Sequence, residues 1–358
     1  MKACIVVFSS IASTPFMYKY ISVFKKNNIK FDIIHWDRYD YNENVEECDS
    51  LYQYKKNVPD SSHFILKVVP MISFANFAKK ILKKNKYDLV VVLTSLIGVL
   101  LENFLTKFYP SKYILDIRDH SYEHIKWYYN KMKRLVENSA LNIISSEGFK
   151  NFLPDSKYSI MHNCTYNNDS GFIFSKSVKT PLKIFFIGAI RYANEVKRFI
   201  DIIADNPSFE FHFYGRGSGE ADLLSFCQER KISNVFYNGA YDPKDKDAIC
   251  QQADFIYNAY GESLHVKYAL SNKYYDALYH KKPLIVNQRT SMAEVSGNIS
   301  YKLDYSQDIS IDLVNWYNAV DEKEFDTIAN EKLKTVITEN HNTESKIQEV
   351  INKVHKRY

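Results

Sequence analysis

The stretch SNKYYDALYHKKPLIV, residues 271–286, predicts a helix that leads directly into a buried strand. Tyr274, Ala277 and Leu278 recur at helical spacing, and Pro283 ends the helix before the apolar run 284–286. A helix followed at once by an apolar strand is typical of a parallel sheet that is covered by helices. This stretch therefore predicts an α/β architecture.

The same alternation of strands and helices runs through the whole chain. In the first half, Val- and Ile-rich runs predict strands at 3–8, 31–36, 88–94, 113–117, 141–145 and 158–162, and helical patterns lie at 15–28, 71–84, 96–108 and 121–138. In the second half, strands are predicted at 182–187, 210–214, 235–238, 255–258 and 284–286, and helices at 194–204, 220–230, 245–252 and 272–281. The tail is predicted to be helical at 315–320 and 342–356. The fold class is thus α/β, with two Rossmann-like, doubly wound domains and a C-terminal helical tail.

A polar stretch separates the two halves. Residues 164–180, CTYNNDSGFIFSKSVKT, have no clear period and are rich in Asn, Asp and Ser, as a linker would be. We expect an N-terminal domain at 1–163, a C-terminal domain at 181–340, and a final helix at 341–358 that packs back on the first domain. Two such domains in tandem are expected to face a cleft, and ligands bind beyond the carboxyl ends of parallel strands.

Composition excludes several classes of function. The 358 residues carry a net charge of +5, which is too mild for a dedicated nucleic-acid binder but suits an anionic small molecule. The five cysteines form no CxxC pair, which disfavours a disulfide framework and a zinc site and favours a reducing cytoplasm. No metal or other cofactor is expected. The start, MKACIVVFSS, is predicted to be a strand and not a signal peptide.

Several strand ends of the second half carry residues that suit a phosphorylated ligand. Gly188 ends a strand, where it allows close backbone approach, and Arg191 follows within reach of an anion. Gly215 and Arg216 lie in the loop YGRGSGE, which departs from the dinucleotide fingerprint at its sixth position. Tyr241, after another strand, is placed to face a nucleotide base. Tight turns with solvated side chains explain these features equally well.

The helix in the opening stretch begins with an anion-binding pattern. If Ser271 caps it, the N–H groups of the first turn, including those of Asn272 and Lys273, remain unpaired and point outward. Such groups and the helix dipole bind anions. Asp276 lies four residues after Asn272 on the same face, where a carboxylate can accept hydrogen bonds from a ribose diol. The alternative is an ordinary amphipathic helix with a solvated Asp276.

These residues resemble motifs of GT-B glycosyltransferases, especially glycosyltransferase family 4 and related bacterial capsule and O-antigen enzymes. The opening stretch is similar to their S/P-x-K-x-x-E-x-x-x-x-G-K-P-V-I segment, and FIGAIRYANEVKRFID (186–201) to the first strand and glycine of their donor domain. YILDIRDH (113–120) resembles a D-x-R-D strand end of their acceptor domain. There are departures: Asp276 replaces Glu, Tyr268 stands where the family's E-x7-E pair has its first Glu, and Lys281 replaces Gly.

The resemblance implies a metal-independent transferase that uses a nucleotide-sugar donor, with UDP favoured over GDP. Gly188 and Arg191 would contact the diphosphate, Ser271, Asn272 and Lys273 would hold it at the helix start, and Asp276 would bind ribose. Glu262 and His265 are candidates to contact the donor sugar. Two other hypotheses remain open: a nucleotide-sugar epimerase of the same fold, and a non-catalytic two-domain sugar or nucleotide binder.

On the acceptor side, Asp119, with His120 beside it, is the candidate base for the attacking hydroxyl. The alternatives for Asp119 are an ion pair with Arg118 or a helix cap. Two basic stretches with aromatic residues, FANFAKKILKKNK (74–86) and IKWYYNKMKR (125–134), suit an anionic membrane surface and hence a lipid-linked saccharide acceptor. The implied location is the cytoplasm, peripheral on the inner face of the membrane. Ordinary amphipathic helices with solvated lysines are the alternative.

Overall fold

The structure of the chain, a computed structural model, describes residues 1–41, 43–58, 64–169, 171–177 and 180–356. The chain divides into two compact units. Unit 1 comprises Met1–His162 and Glu339–Tyr358, and unit 2 comprises Asn163–Thr338.

Unit 1 is built on a parallel seven-stranded sheet in the order β3-β2-β1-β4-β5-β6-β7. Its strands are β1 (Lys2–Val7), β2 (Lys30–Asp37), β3 (Ser50–Lys55), β4 (Leu89–Leu93), β5 (Tyr113–Ile117), β6 (Leu141–Ile144) and β7 (Tyr158–Ile160). The helices between them are α1 (Met17–Lys26), α2 (Phe64–Asn85), α3 (Ser95–Phe108) and α4 (Lys126–Asn138). The central strands β1, β4 and β5 are almost wholly buried, which explains their continuous apolar sequences.

Unit 2 is built on a parallel six-stranded sheet in the order β10-β9-β8-β11-β12-β13. Its strands are β8 (Leu182–Ile187), β9 (Phe209–Tyr214), β10 (Val235–Gly239), β11 (Phe255–Tyr257), β12 (Leu284–Asn287) and β13 (Ser300–Leu303). The helices are α5 (Ala193–Ile203), α6 (Glu220–Glu229), α7 (Lys246–Gln252), α8 (Leu264–Lys267), α9 (Asn272–His280), α10 (Ser291–Ser296), α11 (Ile309–Ala319) and α12 (Glu322–His355). The last part of α12 belongs to unit 1, where Ile347, Val350 and Ile351 join a core formed with α1 and the sheet.

The predicted fold class is confirmed, including the two doubly wound sheets and the helical C-terminal tail. Sequence analysis missed β3, β13, α8 and α10. It began α2 at Met71, whereas the helix starts at Phe64 and continues through Pro70. It placed the last long helix at 342–356, whereas α12 is continuous over 34 residues from Glu322.

The predicted linker, 164–180, falls within unit 2 where it is described. Phe174 is buried in the unit 2 core, and its N–H donates to Asp326 Oδ1 at 2.8 Å. Residues 170, 178 and 179 of this stretch lie outside the described residues. The segment 163–169 runs against α9, because Asn163 Nδ2 donates to Asn272 Oδ1 at 3.0 Å and Tyr166 stacks on Tyr279.

Each sheet contains a point where the strand order reverses. In unit 2 this point lies between β8 and β11, so the residues that follow these strands, Gly188 and Asn258, stand on either side of it. In open α/β sheets ligands bind at the carboxyl ends of the strands at such a point. The fold therefore predicts a ligand site near Gly188, Asn258 and the start of α9.

Candidate functional site

The centre of the candidate site is the ammonium group of Lys273, at the start of α9. Lys273 is only 7% exposed, and its side chain reaches the end of β8, where a Cβ added to Gly188 would lie 3.8 Å from Nζ. Nζ lies 4.4 Å from the ring centre of Phe186 and donates a hydrogen bond to the hydroxyl of Tyr260. Gly188 has φ +108°, a conformation that favours glycine. The missing side chain leaves the ammonium open on that side.

Burial changes the acidity of this lysine. Desolvation is the largest cause and lowers the pKa of Lys273 to about 7, with smaller lowering effects from Lys246 and Arg191 and an opposing effect of Asp276. A buried cation without a direct carboxylate partner costs folding free energy unless an anion joins it. Ligand-binding sites are where such perturbed groups concentrate.

The N-terminus of α9 has polar groups but no side-chain cap. Ser271 occupies the N-cap position as predicted, yet its hydroxyl donates to Asn258 Oδ1 at 2.7 Å and not to the helix. The expectation that the whole first turn is unpaired is wrong for Tyr274, whose N–H donates to the Ser271 carbonyl at 3.0 Å. Asn258 is 4% exposed, and its Nδ2 has no hydrogen-bond partner among the described residues. A buried, unused donor beside a helix N-terminus suits an oxygen-rich ligand.

Asp276 is buried and not solvated. Its Oδ1 accepts from Lys246 Nζ at 2.6 Å and from the hydroxyl of Tyr166 at 2.8 Å. Within the described part of the chain, Oδ2 accepts no hydrogen bond and is not sealed from solvent. The alternative of a solvated Asp276 is therefore wrong, and the carboxylate keeps one oxygen available while two neighbours fix the other.

The loop after β9 serves to bring backbones together. A Cβ on Gly215 would lie 2.1 Å from the Gly188 carbonyl oxygen, and one on Gly217 would lie 2.1 Å from that of Ile190. Gly188 N–H donates to Tyr214 O and Ile190 N–H to Arg216 O, so the two loops form a continuous backbone ladder. Gly215 and Gly217 thus let the loop after β9 approach and hydrogen-bond the loop that contains Gly188.

The other residues predicted to bind the nucleotide-sugar donor differ in how far they are exposed. Tyr241 packs against the core of unit 2. Burial raises the pKa of its hydroxyl, and the charges of Lys246 and Asp276 also act on it, so Tyr241 lies near that ion pair. Arg191 is exposed but close enough to Lys273 to lower its pKa. Arg216 is exposed and lies 3.8 Å from Glu220. Glu262 and His265 are exposed, on the loop before α8 and on α8 itself.

In unit 1, Asp119 follows directly after a fixed arginine at the end of β5. Arg118 contacts both oxygens of the buried Asp116, at 2.6 and 2.7 Å, and donates to the Met161 carbonyl. Asp119 itself is exposed. The alternative that Asp119 caps a helix is wrong, because the N-cap residue of α4 is Ile125.

His120 is buried beside a second carboxylate that sequence analysis did not select. Its Nε2 lies 3.9 Å from Glu123 Oε2, and its ring stacks on His124. Directly after the neighbouring strand β4, Thr94 has φ +86°, and its buried hydroxyl has no hydrogen-bond partner within the described ranges. A β-branched residue in that conformation is a genuine outlier, of the kind that concentrates at functional sites.

Two features bear on metals and membranes. Among the described residues, no three His, Cys, Asp or Glu side chains come together as metal ligands would. No described helix combines the length and the apolar character that crossing a bilayer requires.

Sequence reasoning missed Asn258, Tyr260, Lys246 and Tyr166. Asn258 could have been found, because it follows the strand at the reversal of the sheet order. Lys246 and Tyr166 carry no local signal, because they meet Asp276 only through tertiary packing across 30 and 110 positions.

No protein-family model matches the sequence, and no curated protein matches it significantly. Solved structures do. A sucrose-phosphate synthase from Thermosynechococcus elongatus has a TM-score of 0.71 at 10% identity and covers 100% of both chains. A lipopolysaccharide outer core galactosyltransferase, WaaB, in its apo form has a TM-score of 0.64 at 14% identity, with 96% of this chain and 99% of that one covered.

A third similar structure contains ligands. Anabaena HepE in complex with UDP and glucose has a TM-score of 0.63 at 12% identity, and the match covers 96% of this chain and 99% of that one. At these identities the similarity shows the fold alone. The chain therefore has the GT-B fold, as the resemblance in its motifs implied.

Proposed function

We propose that this protein is a glycosyltransferase. It moves a sugar from a nucleoside-diphosphate sugar, UDP in preference to GDP, to a saccharide or lipid-linked saccharide acceptor in the synthesis of bacterial surface polysaccharide. The observation that carries the proposal is the buried Lys273 ammonium beside Gly188, at the N-terminus of α9 and at the reversal of the strand order. The structural similarity to HepE, solved with UDP and glucose, supports the choice of UDP.

The chemistry assigned to this site is stabilisation of the leaving group. When the bond between the anomeric carbon and the diphosphate breaks, negative charge develops on the departing nucleoside diphosphate. Lys273, Arg191 and the first turn of α9 supply positive charge and N–H donors for it. The free oxygen of Asp276 and the unused Nδ2 of Asn258 would bind donor hydroxyls or oxygens.

Asp119 is proposed as the base that takes the proton from the attacking hydroxyl. Its exposed carboxylate can reach a substrate, and the fixed Arg118 before it holds the backbone at the end of β5. His120, buried against Glu123, is proposed to assist this group. A positioned base contributes about 100- to 10,000-fold to the rate.

The proposed reaction is tested by incubating the protein with UDP-glucose, UDP-galactose or UDP-N-acetylglucosamine and a saccharide acceptor, with and without EDTA. Release of UDP that depends on acceptor and persists in EDTA is expected. Conversion of the donor to its epimer without release of UDP would contradict the proposal in favour of an epimerase. Loss of activity in EDTA would contradict metal independence.

The proposal includes peripheral attachment to an anionic membrane through a surface of unit 1. We define the apolar–basic surface as Leu66, Val69 and Ile72 on α2 with Ile125 and Trp127 at the start of α4. All five side chains are exposed, Val69 at 72% and Trp127 at 60%, and α3 packs between the two helices. Burial lowers the pKa of Lys79 on α2, and the charge of Lys131 on α4, which also pairs with Glu102 at 2.8 Å, lowers it further. Apolar side chains among lysines suit an anionic interface.

Replacing Val69 and Trp127 together by serine should weaken binding to phosphatidylglycerol-containing vesicles at least about tenfold, because each buried apolar side chain contributes about 1.5–3 kcal/mol. Vesicle flotation measures this. Phe108→Ser is the matched control, because Phe108 is also exposed but lies at the far end of α3. Equal binding by all three proteins, or binding to phosphatidylcholine vesicles alone, would contradict an anionic membrane surface.

A further inference from the structure

A pocket of about 320 Å³ is lined in part by Tyr260, the residue whose hydroxyl accepts a hydrogen bond from the ammonium of Lys273. It lies at the N-terminus of α5, and its lining residues include Tyr192, Tyr260, Glu195, Asp222 and Ser263. The two tyrosine rings lie 5.5 Å apart, centre to centre. Because Tyr260 contacts both, the pocket lies close to the place assigned to the diphosphate at Lys273.

The distinctive group in the pocket is the carboxylate of Glu195. It forms no ion pair or hydrogen bond with any described residue, although two basic side chains follow it on α5. Lys197 binds Asp222, and Arg198 lies 3.6 Å above the ring of Tyr305. None of the described cations forms an ion pair with Glu195, so its carboxylate lacks a direct charge partner.

The backbone around the pocket makes room for this carboxylate. Gly261 has φ +86°, and a Cβ there would lie 2.9 Å from Glu195 Cδ. The N–H of Gly261 donates to the buried Asn287 Oδ1 at 2.7 Å, which fixes that wall. Tyr192 adopts a left-handed conformation, φ +56°, which is uncommon for an aromatic residue. Glu195 also stabilises α5 as an acidic residue in its first turn. That role does not depend on where the side chain points, and it requires neither the glycine at 261 nor the adjoining pocket.

We infer that this pocket receives the sugar of the donor and that Glu195 selects an uncharged hexosyl group over an acidic one. This inference rests on the proposed function. Sugar hydroxyls can donate to the free carboxylate, and the tyrosine rings offer apolar faces to a pyranose. The carboxylate of a hexuronic acid would instead meet the carboxylate of Glu195, which has no ion-pair partner among the described residues, and juxtaposed like charges disfavour binding.

The test is calorimetric titration of the wild-type protein and of Glu195→Gln with UDP, UDP-glucose, UDP-galactose, UDP-N-acetylglucosamine and UDP-glucuronate. The wild type should bind UDP-glucuronate at least about tenfold more weakly than its preferred uncharged donor, and Glu195→Gln should reduce that ratio about tenfold. Affinity for UDP itself should be the same in both proteins. Glu229→Gln, an exposed carboxylate at the end of α6, is the matched control and should keep the wild-type ratio.

The outcomes separate this inference from the proposed function. If UDP binds but Glu195→Gln leaves the ratio unchanged, or if the wild type prefers UDP-glucuronate, the role of Glu195 is overturned while the nucleotide site stands. If UDP does not bind to the wild type, the proposed function fails, and the assignment of this pocket fails with it.

Discussion

Lys273→Met is expected to make the protein more stable and unable to bind a nucleoside diphosphate. Methionine replaces the aliphatic part of the side chain and removes the cost of burying an ammonium, so the free energy of unfolding at pH 7 should rise by about 1–4 kcal/mol. The same change removes a desolvated charge partner for the diphosphate, and affinity for UDP should fall at least about 30-fold. Urea denaturation and calorimetric titration measure the two effects.

The gain in stability should depend on pH in a defined direction. Between about pH 7 and 10.5 the unfolded chain holds a proton on Lys273 that the folded chain has lost, so wild-type stability rises with pH through this window. The advantage of Lys273→Met is therefore largest at and below pH 7 and disappears towards pH 10.5. Lys244→Met, an exposed lysine of the same unit, is the control and should change neither stability nor affinity. A destabilised Lys273→Met protein that still binds UDP would contradict the assignment.

Asp119→Asn is expected to lower kcat by about 100- to 10,000-fold and to leave the affinity for UDP unchanged, because the amide cannot accept the proton of the attacking hydroxyl. The variant should stay folded, since the side chain is exposed and Arg118 is held by Asp116 and Met161. Initial rates of UDP release and calorimetric titration measure the two quantities. Asp155→Asn, an exposed carboxylate of the same unit, should behave as wild type. Parallel loss of UDP affinity and kcat in Asp119→Asn would reject the division of roles between the two units.

The strands that sequence analysis placed best are those buried on both faces. The run Tyr113–Ile117 was predicted with its true bounds, because a parallel strand covered by helices needs a continuous apolar sequence. The strand β3, SLYQYK, was missed because it lies at the edge of its sheet, is only half-buried and alternates polar with aromatic residues. The predicted start of α2, Met71, was too late, because the helix continues through Pro70, a residue type that usually ends or kinks a helix.

Lys281 stands where the family motif has a glycine before Lys282, yet the backbone geometry at this position is that of a glycine. Lys281 stands in its place with φ +53° and ends α9 in the left-handed conformation that glycine usually supplies. Its Nζ donates to the Leu278 carbonyl at 3.0 Å and lies 3.4 Å from Asp169. These contacts offset part of the conformational cost, and the helix ends where the motif requires.

Parts of the site could be predicted from sequence and parts could not. The strand-end glycine and the polar helix start are local features, and the sequence contains them directly. The burial of Lys273, the ion pair of Asp276 with Lys246 and the lack of an ion pair at Glu195 among the described residues depend on which side chains meet across the sheet. A single sequence does not determine those contacts, because each joins elements many residues apart.

The most direct test of the central claim is the number of protons that the wild-type protein takes up when it binds UDP at about pH 8. Calorimetric titration in two buffers of different ionisation enthalpy gives this number. In the ligand-free protein at about pH 8, Lys273 has a pKa of about 7 and is mostly neutral. A bound diphosphate would restore its positive charge, so the uptake of about 0.9 proton per bound UDP is predicted. Lys273→Met should show neither the affinity nor the uptake. Tight binding of UDP with no proton uptake, or no binding at all, would contradict the claim that Lys273 holds the diphosphate.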